Sequence, residues 1–394
     1  MTLRFPEQML LAHRFGADAP WRLGVEEELF LVDPATHDIR WGTDAVLARL
    51  RRPGLRGDVV GEMADGVVEL ATRISKTADD AIETLSALRQ AVVRDGGVAL
   101  LGAGLHPTAA FGDVPQRGGA HYEAVAADTR GVLRQSAYCG VHVHVGMPDP
   151  ETAVVAYNGM RKWIPLLIAL GAASPFWHGL DSGLVSARTV RCHSVPRTGL
   201  PRAFDDWADY CRTMGQLIRV AGIDGPGSLW WDMRPHPSLG TLELRALDAQ
   251  SSLADLRGLI ALVHCLARHE ALTADDRHPS KELLDESTFL AVRDGLDARF
   301  SVGGPIRHVQ DLARHALDLA AGYAPGLGCA TALAEVERLL ADGNGAQRQR
   351  RAFRAGGMAA VLRLLVDETA AGARVRLASR RTRPTNAGRD MAPA

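Results

Sequence analysis

Four separated segments of the 394-residue sequence carry acidic, histidine or arginine side chains close together, often two residues apart. In a β-strand, residues two apart lie on one face, so this spacing directs both side chains the same way. Carboxylate oxygens and imidazole nitrogens bind divalent cations, and guanidinium groups bind phosphate. The residues concerned are Glu26, Glu28, Glu62, Asp65, Glu69, His142, His144, Glu243 and Arg245. If the segments meet in space, these residue types predict a site for a metal ion and a phosphorylated ligand.

The first segment, residues 24–31, alternates in polarity. Glu26, Glu28 and Phe30 share one face of the predicted strand, and the opposite face carries Glu27 and three apolar residues. The pattern therefore predicts a carboxylate pair on the more polar face. The alternative interpretation is an edge strand with that face in water.

Residues 141–145 and 241–248 repeat the alternation. In the first of them, three valines share one face and His142 and His144 share the other, so both imidazoles can point at one ion or phosphate. Two solvent-exposed or hydrogen-bonded histidines are the alternative. In the second, Glu243 and Arg245 share a face. They either pair with each other at the surface or place a metal ligand beside a phosphate-binding arginine.

The segment 62–70 adds three more carboxylates. Glu69 fits a strand, whereas Gly66 predicts a bend that leaves the directions of Glu62 and Asp65 undetermined. A solvated loop that precedes a strand is the alternative interpretation.

Taken together, the four segments predict one antiparallel sheet. Its apolar face would pack on helices and its polar face would line a cavity. Several carboxylates repel one another unless cations lie between them, and this ligand set suits Mg²⁺ or Mn²⁺. Divalent ions held by acids beside an arginine are typical of phosphoryl transfer from a nucleotide.

The elements that must position these residues follow from periodicity and capping signals. Strands are predicted at 23–32, 98–101, 141–145 and 241–247, and a helix is predicted to begin after Thr77, with Asp80 completing a capping box, and to end at Gly96-Gly97. Further helices are expected at about 151–173, 205–221 and 252–270, with an irregular stretch at 174–201. Residues 280–370 are predicted to be mainly helical, with a loop at 343–345.

Composition excludes several classes of protein. The formal net charge is −1, which argues against nucleic acid or a membrane surface as a partner. Lysine occurs only at positions 76, 162 and 281, none of them in a P-loop motif. The five cysteines form no CxxC pair, so we expect reduced thiols and a cytoplasmic location.

These motifs resemble the glutamate–cysteine ligase type 2 family, also called carboxylate–amine ligases. The resemblance extends from about residue 23 to about 268, and more loosely to about 366. The matching stretches are GVEEELFLVD at 24–33, VELAT at 68–72, HVHVG at 142–146, AASPFW at 172–177, WDMRPHPSLGTLELRALD at 231–248 and VRDGLDA at 292–298. The long stretch at 231–248 is the most specific of them.

The resemblance implies an α+β, glutamine-synthetase-like fold, with a curved antiparallel sheet flanked by helices. It also implies that ATP phosphorylates a carboxylate, usually the γ-carboxylate of glutamate, and that an amine such as cysteine then attacks the acyl phosphate. Mg²⁺ or Mn²⁺ is the implied cofactor and a homodimer the implied assembly. Residues 1–372 are expected to form one catalytic domain, and residues 373–394 a disordered basic tail.

The resemblance also implies roles for individual residues. Arg245 would clamp the transferring phosphoryl group, Arg234 would contact nucleotide phosphate, and Arg188 would hold the substrate carboxylate. For Arg234 the alternative is a surface pair with Asp232, and His144 is expected to bind substrate or nucleotide. The implied metal ligands are Glu26, Glu28, Glu69, His142 and Glu243, with either Glu62 or Asp65 completing the set.

The amine acceptor stays open, because the segment 189–200 is rich in arginine and histidine and would alter a substrate pocket that it borders. Three other activities stay open as well. A phosphotransferase of the same fold would make no amide, a metal-dependent hydrolase would need no ATP, and a non-catalytic binding protein would form no ADP.

Overall fold

The computed structural model describes residues 12–51, 54–110, 112, 114–223, 225–273 and 278–372. The basic tail predicted at 373–394 lies outside the described residues, so its predicted disorder stays a prediction. No helix in the described ranges combines the length and apolar character that a bilayer-spanning segment requires.

Eleven strands occur in the described residues, and seven of them form one antiparallel sheet. The strands are β1 (Leu23–Val32), β2 (Gly57–Gly61), β3 (Val67–Thr72), β4 (Ala99–Leu101), β5 (Gly140–Gly146), β6 (Phe176–Trp177), β7 (Leu180–Asp181), β8 (Met233–His236), β9 (Thr241–Asp248), β10 (Arg299–Phe300) and β11 (Arg307–His308). The order in the large sheet is β2-β3-β1-β5-β9-β8, and β4 pairs with the end of β1. Because β1 lies inside the sheet, the interpretation of residues 24–31 as a wet edge strand is wrong.

Helices surround this sheet. They are α1 (Thr43–Leu47), α2 (Ala78–Gly96), α3 (Ala120–Thr129), α4 (Pro150–Met160), α5 (Ile164–Gly171), α6 (Ala187–His193), α7 (Trp207–Ala221), α8 (Leu253–Thr273), α9 (Lys281–Asp294), α10 (Val309–Ala321), α11 (Ala324–Leu327), α12 (Ala330–Asp342) and α13 (Gly345–Gly372). The predicted mainly helical C-terminal region is therefore confirmed.

Helix α2 begins and ends where its sequence predicts. The Thr77 side chain accepts a hydrogen bond from the backbone of Asp80, and the Asp80 side chain accepts one from the backbone of Thr77. The helix ends at Gly97, whose φ of 65° lies in the left-handed region that glycine adopts without strain. Its buried side chains pack against the apolar face of the sheet.

The apolar face of β1 is buried together with the valines of β5 in the main hydrophobic core. Glu27 points into this core and pairs with Arg89, and neither side chain is exposed. Arg89 also donates hydrogen bonds to the carbonyl oxygens of Gln250 and Ser251. A buried ion pair is tolerated when its remaining donors have acceptors, as they do here.

Two predictions about the region between the sheet strands need correction. The helix predicted at 151–173 is interrupted, because α4 ends at Met160, a 3₁₀ turn follows, and Pro165 lies in the first turn of α5. Proline lacks an N–H group and fits only the first turn of a helix. The stretch at 174–201 was predicted to be irregular, yet it contains α6, whose seven residues are too few to show a clear helical period.

Candidate functional site

The register of the sheet brings the chemically active residues together as cross-strand partners. Glu26 on β1 lies opposite His142 on β5, and Glu28 lies opposite Glu69 on β3. On the other side, His144 lies opposite Glu243 on β9. We call these residues, with the adjacent Glu62, the acid cluster: Glu26, Glu28, Glu62, Glu69, His142, His144 and Glu243. The sheet thus brings the four separate segments together on one polar face, as the sequence predicts.

Two subsets of the acid cluster have the geometry of a cation site. Ligand atoms of Glu26, His142 and Glu243 all lie within 4.8 Å of one another, and so do those of Glu28, Glu69 and His142. His142 belongs to both subsets, with its Nδ1 atom 2.9 Å from a Glu26 oxygen and its Nε2 atom 3.8 Å from a Glu28 oxygen. Two neighbouring cations bridged by shared ligands would fit this arrangement.

The carboxylates on the β3 side repel one another. Loss of hydration, together with Glu62, Glu26 and Glu28 nearby, raises the pKa of Glu69 to about 10. Loss of hydration and the charge of Glu28 raise the pKa of Glu62 as well. Such a group binds a proton unless a cation replaces it, so the residues present fit a divalent ion.

Asp65 does not belong to this site. Its carboxylate accepts hydrogen bonds from the backbone N–H groups of Gly42 and Thr43, at 2.7 and 2.8 Å. Glu62 is the residue that faces Glu28 and Glu69. The bend at Gly66, with its φ of 82°, explains why alternation alone left this choice undetermined.

Two arginines flank Glu243 and hold it ionised. Burial opposes ionisation, but Arg245 and Arg234 outweigh it and place the pKa of Glu243 well below its ordinary value. Arg245 Nη1 lies 2.5 Å from one Glu243 oxygen, and Arg234 Nε lies 2.6 Å from the other. Glu243 is only 1% exposed, so this contact is not a surface ion pair.

The two arginines differ in what else they contact. Arg245 borders a cavity, and its Nη1 also lies 3.4 Å from His142 Nδ1. Arg234 is buried behind Glu243 and donates to the carbonyl oxygens of Pro226 and Leu229, at 2.7 and 2.6 Å. The alternative that paired Arg234 with Asp232 is wrong.

Arg188 projects from α6 toward the sheet and is 5% exposed. Its terminal nitrogens lie 3.3 and 3.5 Å from the carbonyl oxygens of Arg245 and Ala246. Among the described residues, nothing accepts a hydrogen bond from its Nε atom. A Cβ added at Gly140 would overlap the guanidinium, so glycine at that position is what lets Arg188 approach β5.

His144 is buried among the carboxylates of the acid cluster. Its Nδ1 atom lies 2.9 Å from the Thr241 hydroxyl. Its Nε2 atom is buried, has no hydrogen-bond partner in the described part of the chain, and lies 3.5 Å from Glu26 and 4.0 Å from Glu243. A buried nitrogen directed at two carboxylates is a candidate metal ligand.

Two cavities open on either side of the acid cluster. One, of about 280 Å³, borders Glu26 and His144 and has several aliphatic side chains in its wall, including Leu239 and Ile74. The other, of about 160 Å³, borders Glu28 and Arg245 and has aromatic residues in its wall. Two ligands, one bound in each cavity, would approach each other at the acid cluster.

Three acidic or basic residues at the site were given no functional role from the sequence. Asp248 accepts hydrogen bonds from the Ser174 and Ser186 hydroxyls at 2.7 and 2.9 Å, which fixes the start of α6 and hence Arg188. His193 and Asp232 form a pair in the wall of the smaller cavity. Residues 39 positions apart carry no spacing signal, so only the tertiary structure reveals this pair.

Comparison with known proteins decides the family. The model of glutamate–cysteine ligase family 2 matches residues 22–383. A Rubrobacter xylanophilus protein named "Putative glutamate--cysteine ligase 2-3" is 36% identical over 366 residues, which cover 91% of this chain and 99% of that protein. A Solibacter usitatus protein named "Putative glutamate--cysteine ligase 2" is 32% identical, covering 89% and 94% of the two chains. This chain belongs to glutamate–cysteine ligase family 2.

Membership in glutamate–cysteine ligase family 2 makes the chain a carboxylate–amine ligase of the glutamate–cysteine ligase type. Solved structures confirm the expected fold. A Francisella tularensis glutamate–cysteine ligase, solved in complex with AMP, matches with a TM-score of 0.66 and 13% identity, covering 90% of this chain and 89% of that one. A bifunctional glutathione synthetase from Pasteurella multocida matches with a TM-score of 0.63 and 15% identity, covering 93% of this chain and 54% of that one.

Proposed function

We propose that this ligase forms a γ-glutamyl amide from glutamate and an amine such as cysteine, with ATP as the phosphoryl donor. The observation that carries the proposal is the convergence of the acid cluster and Arg245 on one sheet face between two cavities. In the proposed reaction the γ-carboxylate attacks the γ-phosphorus of ATP, giving an acyl phosphate and ADP. The amine then displaces phosphate from the acyl carbon.

The presence of two cavities beside the sheet supports separate binding of ATP and of glutamate with the amine. We assign the nucleoside of ATP to the cavity beside Glu26, because aliphatic walls suit a flat aromatic base. Glutamate and the amine are assigned to the cavity beside Glu28. Phosphoryl transfer would then take place between the cavities, over the acid cluster.

We propose that Mg²⁺ or Mn²⁺ binds in the acid cluster, with Glu26, Glu28, Glu69, His142 and Glu243 as ligands and Glu62 rather than Asp65 completing the set. When bound, the ions neutralise charge on the phosphates of ATP. The high pKa of Glu69 and the unpaired Nε2 atom of His144 support such a site.

The roles of the arginines follow from their surroundings. Arg245 borders the cavity and supplies a fixed positive charge to the transferring phosphoryl group, where preorganised charge lowers a barrier most. Arg188 offers its free Nε donor to a carboxylate of glutamate. The donors of Arg234 are taken by Glu243 and by backbone carbonyls, so we now assign it the task of holding Glu243 rather than contacting nucleotide.

The five cysteines are free thiols, which supports a reducing compartment such as the cytoplasm.

The test is a product analysis. Purified chain is incubated with ATP, Mg²⁺, glutamate and a panel of amines, and products are identified by mass spectrometry. We expect ADP, phosphate and one or more γ-glutamyl amides, formed only when all components are present. A phosphorylated product that needs no amine would favour a phosphotransferase, turnover without ATP would favour a hydrolase, and ATP binding without ADP would favour a binding protein.

A further inference from the structure

The cavity assigned to glutamate and the amine is lined by two chemically different groups of residues. The first consists of Glu28, Glu62 and Arg245. The second contains His193 and Asp232, to which the proposed reaction gives no role so far. In a substrate cavity, a histidine that is paired with a carboxylate commonly acts as a general base.

The geometry of the pair is that of an oriented imidazole. His193 Nε2 lies 3.0 and 3.1 Å from the two oxygens of Asp232. If Nε2 carries the proton that Asp232 accepts, the Nδ1 atom presents a lone pair. The His193 side chain is 33% exposed, whereas Asp232 is 10% exposed, so the imidazole is the accessible member.

Backbone hydrogen bonds fix Asp232 relative to the phosphoryl-transfer site. Its N–H donates to the carbonyl of Gly199 at 3.0 Å, and its own carbonyl accepts from the N–H of Arg245 at 2.7 Å. The carboxylate that orients His193 is thus attached to the same strand pair that carries Arg245. A base at His193 and a phosphoryl clamp at Arg245 border the same cavity and would act on one bound acyl group.

The other basic residues of the same segment are already engaged. Arg191 donates to the Ser194 hydroxyl and the Val132 carbonyl and lies over the Tyr138 ring. Arg197 pairs with Asp128 and lies over the Trp230 ring. Of the arginines and histidines in this stretch, His193 is therefore the one that lines the cavity.

Charged groups from three separate parts of the chain act on His193. Burial lowers its pKa, but the charge and hydrogen bond of Asp232 outweigh burial and raise the pKa above its ordinary value. Arg188 on α6 lowers the pKa and Asp285 on α9 raises it, while Glu28, Glu62 and Arg245 line the same cavity. Because its pKa is raised overall, His193 is a stronger base than a free imidazole.

An amine substrate is an ammonium ion near neutral pH and has no lone pair with which to attack. It becomes a nucleophile only after a base removes a proton. We propose that His193, oriented by Asp232, accepts this proton from the amine that attacks the acyl phosphate. The inference rests on the proposed function, and it makes His193 a catalytic residue and Asp232 a positioning residue.

The step balances as follows. An N–H bond of the ammonium breaks and the proton passes to His193 Nδ1, leaving a lone pair on nitrogen. That pair forms the C–N bond at the acyl carbon, and the C–O bond to phosphate breaks with its electrons leaving on the phosphate oxygen. The second N–H proton is lost to the departing phosphate, and His193 returns its proton to water.

Using hydroxylamine in place of the amine distinguishes a failure of this inference from a failure of the proposed function. Hydroxylamine is largely unprotonated near neutral pH, so it attacks an acyl phosphate without a base. Wild-type protein and His193→Gln are assayed with ATP, Mg²⁺, glutamate and either hydroxylamine or the best amine of the panel. We expect His193→Gln to lose about 100-fold or more in amide formation and to keep hydroxamate formation within about threefold of wild type.

The pH profile provides a second readout that a purely structural role would not move. Without its base, His193→Gln must use the free amine, so its residual amide rate should rise about tenfold per pH unit up to the pKa of the amine. Asp232→Asn should also lose amide formation and keep hydroxamate formation. His308→Gln, on the exposed strand β11, is the matched control and should match wild type in both assays.

Each remaining outcome is decisive. If His193→Gln loses both products equally, or keeps both, the inference is overturned while the ligase assignment stands. If wild-type protein makes neither hydroxamate nor amide, the proposed function fails and the inference fails with it.

Discussion

Glu26 and His142 face each other across strands β1 and β5, with His142 Nδ1 2.9 Å from a Glu26 carboxylate oxygen. Burial opposes ionisation of Glu26, but hydrogen bonds from His142 and His144 outweigh it and lower the pKa of Glu26. Two residues 116 positions apart thus form the centre of the acid cluster.

Arg245→Ala should lose about 100-fold in kcat, because the variant removes the fixed charge beside the transferring phosphoryl group. The fold should persist, since Arg234 still pairs with Glu243. Steady-state ADP release measures the effect, with the exposed residue change Arg314→Ala as control. A loss below tenfold, or about 1.4 kcal/mol of barrier, would contradict the role of Arg245.

Glu69→Gln should weaken binding of Mn²⁺, which reports on the cation site independently of turnover. Even residues that only orient metal ligands typically contribute about 10–100-fold in affinity, so loss of a ligand should cost at least about tenfold. Titration of free Mn²⁺ by electron paramagnetic resonance gives the affinity. Glu337→Gln, an exposed change on α12, should bind Mn²⁺ as wild type does, and equal affinities for all three proteins would remove Glu69 from the proposed ligand set.

Gly140→Ala should raise the KM for glutamate by about tenfold with a smaller change in kcat, because a Cβ there displaces the Arg188 guanidinium. Initial rates at varied glutamate concentration separate the two constants. At Gly304 a Cβ meets open space, so Gly304→Ala is the matched control. An unchanged KM for Gly140→Ala would show that Arg188 does not bind the acid substrate.

The stability of the protein should depend on His106 at mildly acidic pH. Burial lowers the pKa of His106 to about 4, although its Nε2 atom lies 2.9 Å from the carbonyl of His37. The folded protein therefore binds this proton less readily than the unfolded chain, whose histidine has a pKa of about 6.5. The contribution is fully present above that pH and is lost as pH falls toward 4, by roughly 3 kcal/mol in total.

Urea unfolding of wild type and His106→Asn at several pH values between neutral and mildly acidic measures this dependence. The free energy of unfolding of wild type should fall more steeply with acid than that of the variant. Parallel slopes would show that His106 is protonated equally well in both states.

The sequence predicted the shared face of the acid cluster because strand alternation is a local property. Glu26, His142 and Glu243 could be assigned to polar strand faces without knowledge of their partners. The register could not be predicted in the same way, since the ladder between β5 and β9 is irregular between Val141 and Val143. Alternation gives the face of a residue but not the residue opposite it.

Residues outside the regular strands were harder to place. Arg188 lies on a seven-residue helix whose position depends on hydrogen bonds to Asp248, a contact of long sequence separation. His193 and Asp232 meet only because α6 packs beside the sheet. Arg234, to which the resemblance assigned a nucleotide phosphate, is instead buried beside its cross-strand partner Glu243.

Isotope transfer tests most directly whether the reaction passes through an acyl phosphate. Glutamate labelled with ¹⁸O in its γ-carboxylate is incubated with ATP, Mg²⁺ and the preferred amine, and the released phosphate is analysed by mass spectrometry. Attack of the γ-carboxylate on ATP predicts that each phosphate released with an amide carries one ¹⁸O atom. Unlabelled phosphate alongside amide formation would contradict the mechanism.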